Sequence, residues 1–79
     1  MKLPRDLSGE TLACRLERLG YRVTRQTGSH LRLSLENGEH HLTIPAHQPL
    51  RVGTLAAILA EVARHHGLSR DQIVEHLLG

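Results

Sequence analysis

The chain has 79 residues with one tyrosine, no phenylalanine and no tryptophan, so residues 1–79 are expected to form one small domain with an aliphatic core. Hydrophobic residues make up 39% and recur with a period, which excludes a disordered chain, and the single cysteine, Cys14, excludes an internal disulfide. The net charge of +2 is small but uneven: Arg5, Arg15, Arg18, Arg22, Arg25 and Arg32 crowd the first half and Lys2 is the one lysine, a composition that suits phosphate, or a plain solvated basic surface.

No apolar run approaches the roughly 20 residues that cross a bilayer. No apolar stretch follows Met1-Lys2-Leu3-Pro4-Arg5, so a cytoplasmic protein without a membrane anchor is expected.

Ser8 is a good N-cap for a first helix over 9–19, with Leu7 and Leu12 placed as a hydrophobic staple. Leu12, Leu16 and Leu19 make its apolar stripe, and Gly20 ends it. Cys14 is expected to be a buried or half-buried small residue with no chemical role.

A first strand is expected over 21–26, with Tyr21 and Val23 facing in. A second covers 30–35 and a third 41–44. A three-residue loop, Thr27-Gly28-Ser29, sets Val23 opposite Leu33 and Gln26 opposite His30; a two-residue loop would mismatch the faces. Asn37-Gly38 signals a two-residue type I′ turn. That turn pairs Leu33 with Leu42 and Leu31 with Ile44, and leaves His30, Arg32, Ser34, His41 and Thr43 on the open face.

Pro45 ends the third strand, and a loop with His47 and Pro49 follows. A second helix is expected over 54–65, with Leu55, Ile58, Leu59 and Val62 as its core stripe and Gly67 as its stop. A short third helix starts at Ser69, with Gln72 completing a capping box and Leu68 stapled to Ile73. The expected class is α+β, in the order α-β-β-β-α-α, with helices on one face of an antiparallel sheet.

Three segments together resemble the HicA family of toxins from type II toxin–antitoxin systems. They are Thr27-Gly28-Ser29-His30; Leu42 to His47 with Val52-Gly53-Thr54-Leu55; and Gly67-Leu68-Ser69. Leu19-Gly20-Tyr21 also fits, and the resemblance runs from Leu7 to Leu78. It implies a fold like the double-stranded-RNA-binding domain with an extra C-terminal helix. It also implies an mRNA endonuclease, or mRNA interferase, neutralised by a HicB-like antitoxin encoded alongside. Carried over by position, the family's catalytic histidine is His30. The stretch Glu61-Val62-Ala63-Arg64-His65-His66 lengthens the second helix beyond the common pattern.

RNA brings its own nucleophile, the 2′-hydroxyl. A histidine, with an ordinary pKa of about 6.5, can move the required proton near neutral pH. His30 is expected to do so, slowly and without a metal or other cofactor. Arg32 or Arg22 would hold phosphate, Gly28 and Ser29 would shape the turn and add a hydrogen bond, and His41 is expected among the RNA contacts, with assistance to His30 across the sheet left open. His47 is expected to order its loop. His40-His41 and His65-His66 suggest metal ligands by number only, since no cysteine or carboxylate joins them at zinc spacing. Gly53-Thr54 reads as a helix cap rather than an anion site. With Tyr21 as the sole aromatic and turned inward, RNA recognition is expected to be weakly sequence-specific and strongly salt-dependent. The alternative is a non-catalytic module that binds double-stranded RNA or another protein. Against RNA binding alone, only Arg51 stands near the start of the second helix, where such modules usually carry a lysine cluster.

Overall fold

The computed structural model describes Leu3, residues 6–46 and residues 49–78. Helix α1 (Gly9–Leu16) starts where Ser8 caps it, the serine Oγ accepting from the Thr11 amide at 3.1 Å. Its last turn tightens into a 3₁₀ turn (Glu17–Leu19), so the regular helix is three residues shorter than expected. Gly20 ends it with φ at 95°, a conformation a side chain would resist. Leu12, Ala13 and Leu16 are buried. Cys14 is exposed, correcting the expectation of burial: it lies about 200° round the helix from Leu12, on the solvent side.

Three antiparallel strands follow in the order β1 (Tyr21–Thr27), β2 (His30–Leu35) and β3 (His41–Pro45), with β2 central. Between β2 and β3 the register is the expected one: Leu31 pairs with Ile44, Leu33 with Leu42 and Ser34 with His41. The turn that sets it is not type I′. Only Gly38 has a positive φ there, at 74°. The Leu35 carbonyl accepts from the Gly38 amide at 2.9 Å, and Asn37 Oδ1 accepts from the Glu39 amide at 3.0 Å. The Leu35 amide then donates to the His40 carbonyl at 3.0 Å, so four residues span the gap and the register is unchanged.

The hairpin of β1 and β2 departs further from expectation. Its loop has two residues, Gly28 and Ser29, and Thr27 rather than Gln26 pairs with His30. The mismatch such a loop would cause is removed by a bulge: pairing runs Val23 to Leu33, then Arg25 to Arg32, so Thr24 is the extra residue. Val23 shares Leu33's face but is 43% exposed, because β1 is an edge strand and Tyr21 is its one buried residue. Gly28, at φ 56°, takes the left-handed position expected of it.

Helix α2 (Val52–His66) begins two residues earlier than expected. Gly53 and Thr54 therefore lie inside its first turn, and the N-cap Arg51 makes no side-chain capping bond. Leu55, Leu59 and Val62 are buried, whereas Ile58 is only half-buried at the core's margin. Gly67 ends the helix at φ 68°. Helix α3 (Arg70–Leu78) has the full capping box: Ser69 Oγ accepts from the Gln72 amide at 3.1 Å, and Gln72 Oε1 accepts from the Ser69 amide at 2.8 Å. Its other end is closed by arginines of the first helical segment. Arg15 donates to the Leu77 carbonyl at 2.9 Å and Arg18 to the His76 carbonyl at 3.3 Å. These two cations are spent on orphan helix carbonyls.

The architecture is α+β, an open sheet with its inner face buried against the helices. Leu31, Leu33, Leu42 and Ile44 meet Leu12, Leu16, Leu55, Leu59, Ile73 and Leu77 in one aliphatic cluster. Gly9 allows the tightest approach: a Cβ there would lie 1.6 Å from the Pro45 carbonyl oxygen. The Glu10 amide donates to the Ala46 carbonyl at 3.2 Å, so the start of α1 is bound to the end of β3.

Candidate functional site

That junction supports the strand mouth where His30 sits. The Ala46 amide donates to the Ser29 carbonyl at 2.6 Å, tying the Gly28-Ser29 turn to the chain leaving β3. Gly28 is needed for its backbone angle and not for room, since nothing lies within 4 Å of the position a Cβ would take. Ser29 is exposed at the tip. His30 opens β2 between Thr27 on β1 and Pro45 on β3. It is exposed, and among the described residues its imidazole makes no hydrogen bond or ion pair. Neither ring nitrogen is engaged by a described residue.

A shallow groove of about 180 Å³ opens here, lined by Arg25, Thr27, His30, Arg32 and Thr43. Arg32 therefore lies beside His30, as its parity on β2 demands. Arg25 is the residue that the sequence reading missed. Uninterrupted alternation from Tyr21 would turn it toward the core, and the bulge at Thr24 turns it out, directly opposite Arg32. A charged residue at a nominally inward position was the signal that alternation breaks there. Two like charges directly opposed across strands destabilise a sheet, and an anion seated between them relieves the repulsion.

The other expected members lie farther along the same face. Arg22 pairs with Ser34, four residues from His30 on β2, and its Nε is 3.2 Å from Glu36 Oε1. Both partners of that ion pair are largely exposed, so it holds weakly and an anionic ligand can compete for the arginine. His41 pairs with Ser34 as expected, and its Nδ1 is 2.6 Å from the Ser34 hydroxyl. It is not next to His30. Gly53 and Thr54 are exposed but away from this groove. His47 lies outside the described residues.

A second polar cluster sits at the far end of the sheet. The Tyr21 hydroxyl is 2.5 Å from His40 Nδ1 and 3.2 Å from His66 Nε2. The His40 ring stacks on His65 with centroids 4.4 Å apart, and its Nε2 is 3.5 Å from Glu61 Oε1. Burial, helped by the Glu61 charge, pushes the Tyr21 phenol up from 10.0 to about 12. Burial and then the neighbouring His65 and His40 hold His66 below the ordinary histidine value. Among the described residues no three of these groups are placed to hold a metal ion. The cluster fastens the C-terminal turn of α2 to the sheet, which is the use made of the lengthened helix.

Among the described residues no helix is long and apolar enough to cross a membrane. No curated protein and no solved structure matches the chain. A family model described as the HicA toxin of bacterial toxin–antitoxin systems matches residues 9–68, from the first residue of α1 to the leucine after α2. The match takes in the glycine turn, His30 and the whole sheet, and with it the chain belongs to the HicA family of toxins.

Proposed function

We propose that this toxin is an endoribonuclease that cuts mRNA, with His30 as its proton-transfer residue. The observation that carries the reading is the opposed pair Arg25 and Arg32 beside an imidazole with no partner among the described residues, in one groove. Two opposed guanidiniums suit an oxyanion, and an imidazole in the same groove supports proton transfer beside it.

In the step, His30 takes the proton from the 2′-hydroxyl, and the freed oxygen attacks the adjacent phosphorus. The P–O5′ bond breaks, a cyclic 2′,3′-phosphate forms, and the departing 5′-oxygen receives a proton from the imidazolium or from water. Arg25 and Arg32 offset the charge that builds on the phosphorane. Gly28 and Ser29 hold the turn that presents His30. This route uses the nucleophile of the RNA itself and calls for no metal. One general base contributes about 10²–10⁴-fold, so the enzyme is slow.

The partner that fits is a HicB-like antitoxin with acidic groups over the open face, where the arginines steer and hold it. Induction of this chain alone should arrest growth and fragment mRNA. The His30→Ala form should lose cleavage by at least about 10²-fold while keeping its circular dichroism spectrum, since the side chain is exposed, and its antitoxin complex, since the arginines that would hold the partner remain. Undiminished cleavage by that variant would remove His30 from the mechanism.

A further inference from the structure

We infer that the open sheet face binds RNA as a track that spans more than one phosphate, with His41 as a second anchor held in place by Ser34. The inference rests on the endoribonuclease reading above and extends it to the footprint of the substrate.

The two histidines mark opposite ends of the same face. His30 stands at the start of β2, and His41 stands opposite Ser34. Ser34 lies four residues further along β2, about 13 Å at the usual strand rise. Arg32 and Thr43, themselves a pair, occupy the space between. That separation exceeds a single phosphodiester, so His41 does not share the proton transfer with His30. It meets another part of the same strand.

What sets His41 apart from an ordinary surface histidine is its support. Ser34 is the one buried polar residue among those described, 9% exposed, and its hydroxyl lies 2.6 Å from His41 Nδ1. Behind it, Thr24 Oγ1 is 3.4 Å from Ser34 Oγ and donates to the Arg32 carbonyl at 3.3 Å. The Ser34 hydroxyl bridges Nδ1 at 2.6 Å and Thr24 Oγ1 at 3.4 Å, and the shorter contact fixes the ring. With Nδ1 engaged by Ser34, Nε2 is the ring nitrogen left, among the described residues, to meet a phosphate oxygen, and it donates whenever it carries a proton. Thr24 is the bulged residue, so one irregularity both swings Arg25 into the groove and places the end of this chain. Arg22, also opposite Ser34, adds a cation at the same end once a phosphate displaces Glu36. A basic groove at one end, and a held imidazole with Arg22 beside it about 13 Å away at the other, make a path for a backbone and not a pocket for a base.

The test uses 2′-O-methyl oligouridylates of increasing length, which bind without being cut, with affinity read by fluorescence anisotropy. For the wild-type protein, affinity should step up at the length that first reaches from His30 to His41. The His41→Ala form should lose that step, a weakening of about tenfold, equal to about 1.4 kcal/mol. Ser34→Ala should lose much of it by freeing the ring, and His41→Gln, which keeps a terminal N–H donor, should recover part. A step that survives in His41→Ala overturns the track, as does a smooth rise with length in the wild type. Binding with the step but no cleavage of ordinary RNA would overturn the nuclease reading alone. No binding at any length would overturn both.

Discussion

Arg25 shows how one side chain can be worse for the fold and better for the site. It faces Arg32 across the strand pair with no acidic residue lining the groove among those described. Arg25→Gln should therefore raise thermal stability by about 0.2–1 kcal/mol at low salt, and added salt should shrink the gain. The same change should lower RNA cleavage. A variant that loses stability would mean that the two guanidiniums are already compensated within the protein. Gly9 sits at the opposite extreme, where no side chain is tolerated. A methyl group 1.6 Å from the Pro45 oxygen forces α1 off the end of β3. Gly9→Ala should cost about 1–3 kcal/mol in thermal or urea unfolding. It should also loosen the Ser29 turn, because Ala46 holds both Glu10 and Ser29. Unchanged stability would show that the helix end can shift freely.

At the scale of elements, the docking of α2 carries a pH dependence of its own. The helix ends against β1 and the β2–β3 turn through Tyr21, His40, His65, His66 and Glu61, with Arg64 3.9 Å from that glutamate. His66 has its pKa lowered in the fold, so the unfolded chain binds its proton more readily. Its contribution to stability is complete above the ordinary histidine value of about 6.5 and is lost as pH falls through the lower folded value. Tyr21 is shifted the other way, to about 12. Its contribution is complete below the ordinary 10.0 and is lost as pH rises through about 12. Melting temperature against pH should thus fall on both sides of a plateau. His66→Gln should flatten the acid limb and Tyr21→Phe the alkaline limb. An acid limb of the same steepness in His66→Gln would assign it to other groups. Hairpin β1–β2 illustrates a second property of elements: one inserted residue changes the faces of everything before it in the strand.

At the scale of the molecule, the parts legible in the chain were those set by near neighbours. Ser8 and the Ser69–Gln72 box cap their helices because the bonds close within three residues. The stripe Leu12 and Leu16 and the alternation of Leu31, Leu33 and Leu35 follow the helix and strand periods. Gly20, Gly28 and Gly67 sit at positive φ, where the chain turns. Asn37-Gly38 gave the correct register through a different turn, because the apolar pairs Leu33–Leu42 and Leu31–Ile44 allow only one alignment. His30 was legible as an exposed imidazole at a strand mouth with Arg32 beside it. Arg25 was not, because no local signal marks the bulge apart from the charge at an inward position. The exposure of Val23 was not legible either, since alternation says which way a residue faces but not whether a helix covers it.

The sequence by itself determined the class of the fold, the register of the central strands, the family resemblance and the place of His30. All of these rest on spacing, and spacing is written along the chain. The tertiary structure decided which cations are available: Arg15 and Arg18 close the end of α3, Arg22 leans on Glu36, and Arg25 and Arg32 flank the histidine. It also decided that His41 stands a strand's length from His30, and that His40 and His66 gather round Tyr21 with His65 stacked on His40. The physical reason is the same in each case. A side chain's partners are fixed by which distant backbone comes alongside it, and one bulge or one glycine contact moves that backbone by a whole residue.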